Sequence, residues 1–320
     1  MDVAAFCAES RVVIVAGKGG VGKTTVAAAL ARLAAESGLS ALVVELEGKP
    51  GLARAYGRAA ALDYEETDLF AKGAGRVRAR RITPDDALLE YLADHGLRRI
   101  SKRLVSTGVI DVVSTAIPGI RDVLVLGKVK QLERLPAADL IVVDAPATGH
   151  AVTFLTSASG LLDAARSGPV RAQAAEVLEM LADPARCRVL LVTLAEEMPV
   201  SETIEAAYQL EDRAGVQLGP VVVNCVEPLP PGLGIPARRA TEGSTGPLDD
   251  AAIEALESAR YFRVARHDLQ TEQMARLGRE LPLPQLRVPT LWTNAIGPNE
   301  LGRLADALGR EVARLGGEPR

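Results

Sequence analysis

Short apolar runs alternate along this chain with longer stretches of strong helix formers. Arg11–Ala16 (RVVIVA), Leu42–Leu46 (LVVEL), Leu140–Val143 (LIVV), Val189–Thr193 (VLLVT) and Val221–Asn224 (VVVN) are rich in β-branched residues and show little polar alternation. Runs of that kind predict strands covered on both faces. One further strand is predicted around Leu286–Trp292, interrupted by Pro289. Thr24–Glu36 (TTVAAALARLAAE) predicts a helix, with Gly38 placed to cap its end. Thr83-Pro84-Asp85-Asp86 reads as a helix start: a Thr cap, a Pro pre-set for the first turn, and two acids at the positive end of the dipole. A helix over Asp85–Leu92 follows, and Ala151–Ala182 is mostly helical with a break at Gly168-Pro169. Asn299–Leu315 places Leu301, Leu304, Leu308, Val312 and Leu315 on one stripe. Its other face mixes Glu300, Asp306 and Glu311 with Arg303, Arg310 and Arg314, which suits packing on the body better than gripping anionic lipid. Glu227–Asp250 is rich in Pro, Gly, Ser and Thr and predicts a mobile surface loop, with sheet-like sequence after it. Strands alternating with helices imply an α/β fold with a mostly parallel, doubly wound sheet. A single domain over residues 1–320 is expected, with helical insertions at about 83–135 and 151–182.

Composition narrows the function classes. Lys and Arg number 37 against 41 Asp and Glu, a formal net charge of −4, which disfavours extensive nucleic-acid binding while allowing a local patch. Arg76–Arg81 (RVRARR) and Arg98–Arg103 (RRISKR) are such patches, read as solvated faces, with contact to anionic lipid or nucleic acid as the alternative. Aromatic residues make up 3% of the chain, too few for a base-stacking platform. Cys7, Cys187 and Cys225 form no Cys-x-x-Cys, which points away from a disulfide framework and toward a reducing, cytoplasmic setting. No apolar run approaches the length of a spanning helix, and Met1–Ser10 lacks a basic leader region.

The chemistry concentrates in one stretch. Gly17-Lys18-Gly19-Gly20-Val21-Gly22-Lys23-Thr24 fits G-x-x-x-x-G-K-[ST], the phosphate-binding loop, after a strand and before a helix. Glycines let successive backbone N–H groups converge on phosphate oxygens, and the following helix aims its positive end at the same anion. The nucleotide-binding residues are therefore Gly17 through Thr24, together with Thr25. Lys23 is expected on the β- and γ-phosphates and the Thr24 hydroxyl on Mg²⁺. Asp144 ends the LIVV strand, where a carboxylate meets Mg²⁺ through its water shell; a turn cap is the alternative. Glu45 and Glu47 end the second strand on one face, at the edge where open α/β sheets bind ligands; a solvated strand end is the alternative, more so for Glu45.

The loop GKGGVGKT resembles the deviant form found in a large ATPase class that includes ArsA, MinD, ParA and the nitrogenase iron protein. In that class the first lysine reaches the nucleotide of the partner subunit, so the resemblance implies a nucleotide-sandwich dimer with Lys18 acting in trans. Asp144-Ala145-Pro146-Ala147-Thr148-Gly149-His150 is similar to the D-x-x-P-T-G-H signature of the arsenite-pump and tail-anchored-protein-targeting (ArsA/Get) ATPases, with Ala147 where proline is usual. Arg81–Leu92, Ile117–Val129, Leu191–Glu205, Val221–Pro228 and Val288–Leu301 resemble further segments of that family, in order and over nearly the whole chain. The resemblance implies ATP and Mg²⁺ as cofactors, Asn224 at the adenine edge, Pro289 walling the base, and Glu47 where the family has the aspartate that positions the attacking water. Lys18, Lys23, Glu47 and Asp144 are then the catalytic residues.

Departures from the family restrict the role. The zinc-sharing Cys-x-x-Cys of the targeting factors is missing, only four Met are present, and the three His are scattered. Neither zinc, an iron–sulfur cluster nor arsenite is expected. What the resemblance implies is a single-module ATPase switch, a homodimer or a heterodimer with a related chain. It would serve an unidentified protein client, with peripheral membrane association open. Two alternatives stand beside it: a ParA- or MinD-like positioning ATPase, and a nucleotide-binding subunit without turnover.

Overall fold

The computed structural model describes residues 1–46, 51–94, 119–135, 137–164, 166–242 and 248–316, with backbone alone at 94 and 147–150. Its strands are β1 (Val12–Gly17), β2 (Ser40–Glu45), β3 (Thr67–Lys72), β4 (Gly75–Arg81), β5 (Leu140–Ala147), β6 (Cys187–Leu194), β7 (Val221–Val226) and β8 (Gln285–Pro289). They form one sheet in the order β3-β4-β2-β5-β1-β6-β7-β8. All neighbours run parallel except the edge pair β3–β4. The helices are α1 (Val3–Ala8), α2 (Lys23–Glu36), α3 (Gly51–Ala55), α4 (Pro84–Asp94), α5 (Ile120–Arg134), α6 (Thr148–Ala164), α7 (Pro169–Ala182), α8 (Glu197–Ala214), α9 (Ala237–Ala240), α10 (Asp250–Glu280) and α11 (Pro298–Arg314).

The period-two alternation of the central strand explains the two layers. Val12, Ile14 and Ala16 face a core built with α5, α6, α7 and α8, while Val13 and Val15 face a second core built with α2 and α11. Helices thus cover both faces, as the continuous apolar strands require. Fully buried side chains such as Ile14, Leu42, Ile141 and Leu155 each contribute about 1.5–3 kcal/mol. The C-terminal stripe packs inward: Leu301, Leu304, Leu308 and Val312 are buried against the α2 side. Thr83 caps α4 as expected, its Oγ1 accepting from the Asp86 N–H at 3.2 Å.

Three expectations are corrected. Arg76–Arg81 is not a solvated charge cluster but β4, paired on both sides within the sheet. Val77 and Ala79 alternate with its arginines and are fully buried; Arg78 is tied to Glu66 and the Ala137 carbonyl, and Arg80 lies 4.3 Å from the centre of the Tyr64 ring. Second, Glu227–Asp250 contains the short α9, and sheet-like sequence does not resume directly after it. The 31-residue α10 comes first, capped by Asp249, whose carboxylate accepts from the Ala252 N–H. That helix buries Gln270, Gln273 and Leu277 alone, so no apolar stripe announced it. Third, β5 continues through Ala147 while β8 stops at Pro289, short of Trp292. Residues 98–103 and His95 lie outside the described residues. No described helix is long and apolar enough to cross a membrane.

Candidate functional site

The site lies at the C-terminal ends of the parallel strands. β1 ends at Gly17, α2 begins at Lys23, and the residues between them form a tight turn. Gly20 and Gly22 hold φ of 88° and 91°, values that glycine adopts without strain. The loop is clamped from behind. A Cβ on Gly17 would stand 2.2 Å from the Val192 carbonyl oxygen of β6, and one on Gly22 would stand 2.3 Å from Asn224 Nδ2 of β7. The same Asn224 amide donates to the Val21 carbonyl oxygen at 2.9 Å, and both residues are buried. Backbone N–H groups of the loop and the positive end of the 14-residue α2 therefore share one fixed concavity, an arrangement suited to phosphate.

The charged side chains around the loop are partnered. Lys23 Nζ donates to the Lys18 carbonyl oxygen at 3.1 Å, curling back over the loop. Lys18 Nζ reaches Glu202 Oε1 on α8 at 2.5 Å, both side chains about one-third exposed. Thr24 Oγ1 donates to Asp144 Oδ2 at 2.6 Å. A hydroxyl from the loop thus meets a carboxylate from β5, and both are hard oxygen donors. That is the donor set a Mg²⁺–nucleotide site draws from its protein, so the residues present fit the ion. Among the described residues no group of three or more His, Cys, Asp or Glu is assembled for a metal.

Glu45 completes this edge. It ends β2, in register with Asp144 of β5 on one side and Arg81 of β4 on the other. It is 3% exposed, and neither carboxyl oxygen has a hydrogen-bond partner. Burial and the nearby Asp144 charge push its carboxyl up to about 7 against the opposing pull of Arg81.

Of the residues expected in the site, Gly17, Lys18, Gly19, Gly20, Val21, Gly22, Lys23, Thr24 and Thr25 lie together on the loop and first turn of α2, with Asp144 beside them. Asn224 lies behind the loop. Pro289 stands opposite Val226, and the next residue, Thr290, donates its N–H to the Val226 carbonyl oxygen at 3.0 Å. The segment after β8 is thereby held beside the end of β7. Glu47 lies outside the described residues, and Thr148 and His150 are described only as backbone opening α6.

Sequence reasoning missed two further contributors. One is Glu202, whose only signal was its place in the Leu191–Glu205 segment. The other is α10, which crosses the ends of β6 and β7. There Arg266 Nε and Nη2 bond Glu227 at 2.8 Å and Glu196 at 3.1 Å. Outward from that contact, Tyr261, Phe262 and Trp292 are exposed, with the Arg263 guanidinium 5.0 Å from the centre of the Trp292 ring. Cys7 and Cys187 are buried, and burial pushes both thiols up to about 12.

A family model described as anion-transporting ATPase matches residues 10–165. The chain is 33% identical to the ATPase BagA of Mycobacterium tuberculosis over 339 aligned positions, which cover 95% of this chain and 94% of BagA. It is 30% identical to a Halobacterium salinarum protein that carries the name arsenical pump-driving ATPase, over 69% of this chain and 36% of that protein. It is 27% identical to the ATPase get3 of Schizosaccharomyces japonicus over 45% of this chain and 42% of that relative.

Proposed function

We propose that this chain, which belongs to the ArsA/Get-type anion-transporting ATPase family, is a Mg²⁺-dependent ATPase whose nucleotide state switches a dimer and the hold on a protein client. The observation that carries the reading is the 2.6 Å contact between Thr24 and Asp144 at the foot of a glycine loop closed by β6 and β7.

The roles combine the loop geometry with what the family resemblance implies. Loop N–H groups and the start of α2 bind the β-phosphate. Lys23 leaves the Lys18 carbonyl for the β- and γ-phosphates. Thr24 with its hydroxyl and Asp144 with its carboxylate would hold Mg²⁺, which would neutralise charge building on the transferring phosphoryl group. Lys18 exchanges Glu202 for the nucleotide of the partner chain, either a second copy or a related ATPase. Glu47 positions the attacking water. Its oxygen bonds to the γ-phosphorus as the bond to ADP breaks, and the proton leaves to solvent. Asn224 and Pro289 address the adenine. The exposed Tyr261, Phe262 and Trp292 with Arg263 have the composition of an interface and support contact with another chain. We place the protein in the cytoplasm.

Phosphate release from Mg²⁺·ATP tests the reading. Wild-type protein is expected to release phosphate, and Lys23→Ala to lose at least 100-fold, in line with losing one charged contact to the transition state. Equal rates in the two proteins would refute it.

A further inference from the structure

We propose that Glu45 belongs to the divalent-cation site, accepting hydrogen bonds from water bound to the ion that Thr24 and Asp144 hold. The inference rests on the nucleotide-site reading above and extends it to a residue that no motif requires.

Placement comes first. In a parallel sheet, residues in register on neighbouring strands project to the same face at about 4.8 Å spacing. Arg81, Glu45, Asp144 and Val15 form one such row across β4, β2, β5 and β1. Asp144 sends its carboxylate to Thr24 on α2, so Glu45 projects to the α2 side of the sheet as well. The chain resumes at α3 on the same side: a Cβ on Gly51 would lie 3.5 Å from Thr24 Cγ2. Glu45 therefore ends beside the Thr24–Asp144 pair, under the first turn of α2.

The second observation is what Glu45 lacks. It is 97% buried, yet neither carboxyl oxygen accepts or donates a hydrogen bond. Buried carboxyls are almost always satisfied, because water is lost and nothing replaces it. Arg81 stands next in the row but makes no ion pair with it among the described contacts. A second carboxylate, Asp144, stands on the other side and repels it. A divalent cation on Thr24 and Asp144 resolves both difficulties: it cancels the repulsion, and its hydration shell supplies donors for the two empty oxygens. Mg²⁺ keeps several of its waters and is bound through one or two carboxylates, so a further acid serves it from outside the first coordination sphere.

The test separates metal binding from nucleotide binding. Mn²⁺ affinity is read by electron paramagnetic resonance with saturating ADP, and metal-free ADP affinity by calorimetry. Outer-sphere partners of metals typically contribute 10- to 100-fold in affinity. Glu45→Gln, nearly isosteric and neutral, is expected to bind Mn²⁺ at least 10-fold more weakly while holding metal-free ADP within twofold or more tightly. Glu45→Asp retains the charge one methylene short and is expected to lie between the two, at least about threefold weaker than wild type. It carries the test alone if Glu45→Gln does not fold. Mn²⁺ affinity within twofold of wild type in either folded variant overturns the proposal and leaves the nucleotide site standing. Wild-type protein that binds no ADP at all overturns the nucleotide site and this proposal together.

Discussion

Asn224 offers the sharpest perturbation of the loop, because its amide can serve two tasks through two different atoms. The acceptor at 2.9 Å is the Val21 carbonyl oxygen, so the atom facing it must be the amide nitrogen. One Nδ2 hydrogen is thereby committed to holding the loop, and Oδ1 is the atom left for an adenine amino group. Asn224→Ala removes the prop and leaves the buried Val21 carbonyl without its donor. A buried polar group left unsatisfied costs about 1–3 kcal/mol, and each 1.4 kcal/mol is tenfold in binding. If that cost falls on the phosphate-binding conformation, nucleotide affinity drops by about 5- to 150-fold. Isothermal titration with Mg²⁺·ADP and Mg²⁺·pyrophosphate separates the two tasks. The account predicts at least a fivefold loss for both ligands, since both depend on the loop; base recognition through Oδ1 adds a further loss for ADP alone. Pyrophosphate affinity unchanged by Asn224→Ala, with ADP weakened, would refute the propping argument and leave base recognition as the residue's whole role.

Three further outcomes follow from the same geometry. Gly17→Ala drives a Cβ to 2.2 Å from the β6 backbone and is expected to cost about 3 kcal/mol, whereas Gly20→Ala meets nothing within 4 Å and costs about 1–2 kcal/mol through its positive φ; urea melts showing equal losses would contradict the clamp. Glu202→Gln gives up a partly exposed ion pair worth under about 1 kcal/mol and releases Lys18, so assembly with an ATP analogue should tighten by up to about fivefold per subunit, read by sedimentation; weaker assembly would show that Glu202 assists Lys18 instead of restraining it. Burial and the Asp144 charge push the Glu45 carboxyl up to about 7 in the fold, against an ordinary 4.5, so the folded state binds its proton more tightly. The metal-free stability it contributes is fully present below pH 4.5 and is lost as pH rises through about 7, by at most about 3 kcal/mol. Urea melts at pH 5 and pH 8 should show that loss in wild type and not in Glu45→Gln; parallel profiles would contradict it.

What was legible in the sequence followed the strength of its periodicities. β1, β2, β5, β6 and β7 are buried on both faces, and burial of that kind leaves an unbroken apolar run that few other structures produce. The glycine loop was legible because its chemistry admits almost no substitutes: Gly17 and Gly22 sit where a side chain would strike β6 or Asn224. β4 was hidden by its own arginines. Their alternation with Val77 and Ala79 is a strand pattern, but long side chains that lie on Tyr64 and reach Glu66 looked like a solvated patch. α10 was hidden for the opposite reason, since a helix that buries three residues in 31 carries no amphipathic stripe. In the site, Thr24 and Asp144 were found 120 residues apart because each closes a strand–turn or turn–helix unit of known geometry. Glu202 was not, because what marks it is a neighbour brought by the fold, the Lys18 ammonium; Glu45 was legible as a carboxylate at the ligand-binding edge, but its unpartnered burial next to Asp144 shows only in the fold.

We propose that ATP closes two nucleotide sites against each other. Light scattering on the purified 33.7 kDa chain, first with Mg²⁺·ADP and then with a non-hydrolysable ATP analogue, tests it most directly. The account predicts that the analogue doubles the mass, of the chain alone or of its complex with a related ATPase chain, and that Lys18→Ala abolishes the doubling. A mass that stays at one chain in both nucleotide states, with the analogue bound and a related chain supplied, would contradict it.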